Sequence, residues 1–200
     1  MMLPTHVLVG FAVGAPVALI APEFATAALA GAGMGSAFPD FDLYAGHRRN
    51  LHYPTGYSVA ATIALLAAMT VPSAVTVFAA LVFVGAAVHC QMDRYGGGLE
   101  LRPWEATSQR AVYDHYRGRW LPPKRWIRYD GAPEDVVLML LLAGGLVVTL
   151  EGYIEAIILA MATIGTVYGL LRRRLAALAP SVIGILPGSL ASHVPARYHR

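Results

Sequence analysis

Seven residues bring metal-ligand chemistry to an otherwise apolar chain: His6, Asp40, Asp42, His47, His52, His89 and Asp93. Imidazole and carboxylate are side chains that hold divalent ions, and all seven stand at the ends of apolar segments. His89 and Asp93 form H-x-x-x-D. Four residues apart on a helix they share one face, so both side chains can reach one ion. The plainer alternative is a His89 hydrogen-bonded to a neighbouring helix, with Asp93 in water. Asp40 and Asp42 form P-D-x-D, and two such carboxylates point the same way only in extended backbone. They offer hard oxygen ligands for Mg²⁺, Mn²⁺ or Zn²⁺, whereas a solvated turn after Pro39 would need no ion. His47-Arg48-Arg49-Asn50-Leu51-His52 follows at once. Imidazole is the commonest nitrogen ligand and arginine is well suited to phosphate or carboxylate; a basic stop-transfer cluster is the alternative there. His6 opens the first apolar segment, where it also reads as a polar helix end.

The elements that must position these residues are hydrophobic. The 200 residues are 56% hydrophobic and only 14% charged, against roughly 25% charged in an average soluble domain. Mean hydropathy is +0.54. The composition predicts an integral membrane protein. The opening residues lack a positive stretch, so the first apolar segment is expected to be retained rather than cleaved. The single cysteine, Cys90, excludes an intrachain disulfide and reads as a small buried hydrophobe ahead of a soft ligand.

Apolar segments cover residues 6–21, 24–37, 55–71, 73–91, 133–150 and 153–171, and a further one over 175–192 contains Pro180 and Pro187. A spanning helix needs about 20 apolar residues, range roughly 17–25. The third to sixth segments meet or nearly meet that length, the first two are short, and the last is expected to be broken or interfacial. Tight turns at Pro22-Glu23, Pro72-Ser73 and Glu151-Gly152 pair the segments into hairpins. All 15 Lys and Arg residues, from Arg48 to Arg200, lie in the longer connectors or after Leu171. The positive-inside rule puts those connectors in the cytoplasm. The expected fold is all-α, a polytopic membrane bundle of about three helical hairpins with a polar cytoplasmic connector. Residues 1–105 would form a membrane core carrying the site, 106–132 an interfacial connector, and 133–200 the C-terminal membrane helices.

The net charge of +3 follows from this topology and does not require nucleic acid. Trp104, Tyr113, Tyr116, Trp120, Trp126 and Tyr129 alternate with arginines in the connector, a composition that anchors a segment among lipid headgroups more simply than it binds RNA. Gly96-Gly97-Gly98 lacks the lysine of a phosphate-binding loop and reads as a tight turn near the site.

The order of His6, Phe38-Pro39-Asp40-Phe41-Asp42, His47-Arg48-Arg49-Asn50-Leu51-His52, His89-Cys90-Gln91-Met92-Asp93 and the stretch from Gly96 to Pro103-Trp104 resembles the membrane-bound metal-dependent hydrolases, also described as LexA-binding, inner membrane-associated hydrolases. The resemblance covers roughly residues 1–105, with a more distant similarity to the zinc-dependent phospholipases C. It implies His6, Asp40, Asp42, His52, His89 and Asp93 as ligands, with Asp40 or Asp42 bridging where two ions bind. The cofactor it implies is zinc first, with manganese or magnesium as alternatives. The chain departs from the pattern at Leu43, where a histidine is common, and at Leu51-His52-Tyr53, where hydroxyl residues flank the histidine.

The functional expectation is a hydrolase at the cytoplasmic face of the inner membrane, in which a metal-activated water attacks a phosphodiester or ester, lipid-linked or not. Asp42, His47 and Arg48 are the expected catalytic residues, with Arg48 and Arg49 holding phosphate. The expected partners are the bilayer and a lipid or phosphate-containing substrate, with no nucleic acid. The alternative is a non-catalytic membrane protein tied together by a structural metal or polar cluster.

Overall fold

The computed structural model describes residues 1–195 and 198. Arg197 and Arg200, which entered the charge argument, lie outside the described residues. The molecule is mostly helical. Its elements are α1 (Leu3–Ile20), α2 (Ala25–Ala37), α3 (Pro54–Thr70), α4 (Ala74–Tyr95), β1 (Val112–Asp114), β2 (Arg119–Leu121), α5 (Pro133–Val147), α6 (Tyr153–Gly184) and the short α7 (Gly188–Ala191). Starts follow local chemistry. Proline sits in the first turn of α1, α3 and α5, where its missing N–H costs nothing. Ser73 caps α4 in a reciprocal pair with Thr76.

Helices α1, α4 and α6 are long and apolar enough to cross a membrane. Large apolar side chains such as Ile63, Leu66 and Met69 on α3 and Leu159, Val167 and Leu170 on α6 face outward. So much exposed apolar surface is rare on a soluble monomer and is compatible with insertion in a bilayer. At 17 residues α3 has the length of its apolar segment, whereas α5, at 15 residues, is shorter than the segment over 133–150 suggested.

Helix α2 lies between α1 and α4, α3 packs on the other side of α4, and α5 and α6 pack against α1. The close fit of α2 comes from small residues. A Cβ on Gly31 would stand 2.5 Å from the Phe78 carbonyl of α4, and one on Gly10 of α1 would stand 2.6 Å from the Ala32 carbonyl. Small residues let helix backbones approach closely where a lipid solvent gives no hydrophobic drive. One apolar core joins Leu8, Phe11, Leu29, Met139 and Ile158 between α1, α2, α5 and α6. A second joins Ala28, Ala32, Val77 and Leu81 between α2 and α4.

Two features depart from the sequence expectation. The connector of residues 92–132 contains a two-stranded antiparallel hairpin, with Tyr113 opposite Trp120. Asp114 holds the hairpin by accepting from Tyr116 N and Arg117 and from the Thr55 hydroxyl of α3. Helix α6, expected to stop at Leu171, runs unbroken through Arg172, Arg173 and Arg174 to Gly184. Its 32 residues span about 48 Å, more than a hydrocarbon core of about 30 Å. Tertiary partners explain the continuation: Arg172 is buried against Asp130 and the Leu101 carbonyl, and Arg173 lies over the Trp104 and Tyr129 rings. Leu, Ala and Arg favour the helix, so nothing before Pro180 interrupts it.

Candidate metal centre

Three helical elements and a loop deliver the polar cluster. Helix α1 carries His6, the 3-10 turn Phe38–Asp42 carries both aspartates, the loop before α3 carries His47, Arg48 and His52, and α4 carries His89 and Asp93. His6, His52, His89 and Asp93 are fully buried or nearly so.

One ligand atom from each of Asp40, His52, His89 and Asp93 lies within 4.8 Å of every other, an arrangement that could hold a metal ion. His52 Nε2 is 3.2 Å from Asp93 Oδ2, His89 Nε2 is 3.4 Å from the same oxygen, and His89 Nε2 is 3.5 Å from Asp40 Oδ1. A tetrahedral ion with bonds of about 2.0–2.1 Å has ligand-to-ligand edges of about 3.3 Å, which these three distances approach.

The histidine orientations agree. His89 Nδ1 donates to the Ser36 carbonyl at 2.6 Å, so in the neutral ring Nε2 is the unprotonated nitrogen, and it faces the carboxylates. That buried Nε2 has no hydrogen-bond partner. His52 Nδ1 lies 3.0 Å from Asp42 Oδ2, so its Nε2 also turns inward. An outer acceptor that sets tautomer and ring angle is the usual support of a ligating histidine.

The remaining members stand one step back. The P-D-x-D carboxylates do not point the same way, because the backbone there is 3-10 rather than extended. Asp40 faces His89, whereas Asp42 faces the His52 loop. Asp42 accepts from the backbone N–H groups of Arg48, Arg49 and Leu51 and contacts His47 Nδ1 at 3.1 Å and His52 Nδ1. Its oxygens are engaged in shaping the loop, with Arg48 at φ 60. His6 stacks on His89, with ring centroids 3.8 Å apart, and its Nε2 lies 3.3 Å from Asp93 Oδ1, across that carboxylate from His52 and His89. Arg48 is buried, with Nη2 3.1 Å from Asp93 Oδ1 and Nη1 donating to the Gly97 carbonyl. Arg49 turns away and lies over the Tyr113 ring, so the two arginines do not form one clamp.

Charge balance follows this geometry. Burial disfavours the Asp42 carboxylate, but His47 and His52 outweigh it and hold its pKa below the usual carboxylate range. Asp40 is likewise depressed, burial being overcome by the neighbouring His89. For His52, burial lowers the pKa, yet its contacts with Asp42 and Asp93 prevail and raise it above 6.5.

Asp40, His47, Arg48 and Asp93 also line a cavity of about 630 Å³ that extends to α1 and α6. A separate cavity of about 520 Å³ between α4 and α5, lined by Gln91, Tyr95, Trp126 and Leu138, contains none of the four-residue group. The sequence reading missed several supports. The Ser36 carbonyl is a backbone acceptor and leaves no signature in a sequence. Asp135 is fully buried and accepts from Met2 N, the Thr5 hydroxyl and Gly131 N, thereby seating the start of α1 and His6. Its one clue was an acid just inside an apolar helix. The cluster Asp130–Tyr168–Arg172 at the far end of the larger cavity was counted only as charge.

No family model, no curated protein and no solved structure matches the chain.

Proposed function

We propose that this chain is a metal-dependent hydrolase embedded in the cytoplasmic membrane, acting on a phosphodiester or ester from the cytoplasmic side. The observation that carries the reading is that Asp40 and Asp93 belong both to the four-residue ligand group and to the wall of the 630 Å³ cavity. A structural ion is closed off by its ligands, whereas a catalytic one must face a substrate space. The motif resemblance to the membrane-bound metal-dependent hydrolases and the clustering of Lys and Arg in the long connectors support the same reading.

In this proposal Asp40, His52, His89 and Asp93 hold the ion, zinc by preference for a nitrogen and carboxylate donor set. The ion would supply Lewis-acid polarisation and lower the pKa of a water to about 7. Asp42 and the Ser36 carbonyl keep the His52 and His89 rings turned inward. His47, on the cavity wall with Nδ1 against Asp42, is placed to hold or return a proton. Arg48 fixes Asp93 and brings positive charge to an anionic substrate. Leu43 and Leu99 line the same cavity and limit water there. His6 buttresses the site through its stack on His89.

A second reading rests on a specific observation. Asp93 already contacts Arg48, His6, His52 and His89, so the cluster also reads as a polar tie between α1, α4 and the loop. The experiment is elemental analysis of protein purified without chelator or His-tag, beside Asp40→Ala and His89→Ala. Stoichiometric metal in the wild type and background levels in both variants are expected; background levels in all three would refute the metal site. Turnover against a panel of phosphodiesters and esters then separates the readings. Lost turnover with a retained melting temperature in His89→Ala favours the enzyme. A lowered melting temperature with no hydrolysis by the wild type favours the tie.

A further inference from the structure

The larger cavity has two unlike parts. At one end stand Arg48, Asp40 and Asp93. At the other it reaches Leu3 of α1 and Met161 and Ile164 of α6. Both helices are long and apolar enough to cross a membrane. Leu3 and Ile164 line the cavity and are also 42% and 55% exposed, so the same side chains belong to the cavity wall and to the accessible apolar surface of α1 and α6. Met161, Ile164 and Tyr168 follow helical spacing along one stripe of α6, which runs from the polar Asp130–Tyr168–Arg172 cluster on the cavity wall to apolar Ile164 and Met161. Next to the charged end, Phe38, Phe41 and Tyr44 are large and exposed. A site for a small hydrophilic ester has no need of an apolar branch between two such helices.

We infer that this cavity takes an anionic amphiphile from the bilayer, its phosphate headgroup at Arg48 and its alkyl chain leaving between α1 and α6 past Met161 and Ile164. This deepens the proposed function by naming the substrate class, and rests on it only for what happens after binding. A volume of about 630 Å³ lies within the roughly 300–1,000 Å³ of small-molecule sites. It admits a headgroup and the first part of one chain, while the remainder stays among lipids. The chain stays in an apolar environment as it passes from the bilayer to the space between α1 and α6, so the transfer costs it no hydration, and the headgroup gains a charge-assisted pair with a partly desolvated guanidinium.

The test uses the full chain in phosphatidylcholine nanodiscs and a lysophosphatidic acid carrying a diazirine near the start of its chain. After photolysis, peptide mapping is expected to find the label on the segments holding Leu3 and residues 161–164. Met161→Trp and Ile164→Trp, which fill the apolar branch, should each lower that labelling about tenfold. Leu159→Trp, on an outward-facing position of the same helix, should not. The same chain with an uncharged glycerol headgroup should label roughly tenfold less, the equivalent of about 1.4 kcal/mol. Labelling spread evenly over the exposed apolar positions, or insensitive to both cavity-filling variants, overturns the inference. Two cavity variants are used so that a folding defect in one, seen as a lost melting transition, leaves the other decisive. Specific labelling without hydrolysis of any substrate would reject the hydrolase and keep the binding site. Hydrolysis of soluble esters without specific labelling would do the reverse.

Discussion

At the residue scale the site divides into atoms that face the centre and atoms that aim them. Asp42, expected as a ligand or bridge, is not among the four residues whose ligand atoms lie within 4.8 Å of one another, and the proposed site uses it as an orienting group. Three backbone N–H groups and two imidazoles converge on its oxygens. Asp42→Asn keeps one acceptor oxygen and the shape of the side chain, so it should weaken metal binding about 10- to 100-fold without emptying the site, as measured by competition with a calibrated chelator. The His52 shift supplies a pH prediction with opposite signs for the two states. In metal-free protein His52 titrates above its unfolded value of 6.5. Its stabilising contribution is therefore complete below pH 6.5 and is lost as pH rises through the folded pKa. A metal ion requires the neutral ring, so affinity rises over the same range. Melting curves between pH 6 and 9 should show the chelated protein losing stability on the alkaline side while the gain on adding Zn²⁺ grows. Parallel curves would exclude His52 as a ligand.

At the scale of elements, the site depends on how closely α2 is held between α1 and α4. Ser36, which sets the His89 tautomer, is on the last turn of α2, and Asp40 follows in the 3-10 turn. Gly31→Val forces a Cβ against the Phe78 carbonyl. It should cost about 1–3 kcal/mol and reduce metal occupancy, read as a lower melting temperature and by elemental analysis. Gly144→Ala on α5, where an added Cβ meets nothing within 4 Å, should leave both unchanged. The hairpin of residues 112–121 is the other support, since Tyr113 N donates to the Arg48 carbonyl. The lengths of the apolar runs and the turn residues between them made most elements legible beforehand. The hairpin was not, because two three-residue strands are too short for an alternating pattern to stand out among interfacial aromatics. The continuation of α6 was not either, because three arginines read as a span end until Asp130, Leu101 and Trp104 are seen beside them.

At the scale of the whole molecule, the proposed topology is open to a direct check. On a Cys90→Ala background, Tyr116→Cys in the hairpin and Glu151→Cys between α5 and α6 should react with a membrane-impermeant maleimide from opposite sides, the hairpin from the cytoplasm. Both positions are exposed, and labelling from one side would rule out the arrangement. The amino-acid sequence alone determined that the chain is helical and apolar, and that its histidines and aspartates gather at segment ends. Composition, periodicity and charge placement are properties of the chain itself, and need no knowledge of what packs against what. Which of those residues face a common centre was decided only by tertiary structure. The 3-10 backbone at Asp40 and Asp42 parts two carboxylates that extended backbone would align. The Ser36 carbonyl and Asp42 choose which nitrogen of each histidine turns toward the other carboxylates. Such choices come from contacts between residues as far apart as 53 positions, and side-chain direction at that range is set by packing, not by spacing along the chain.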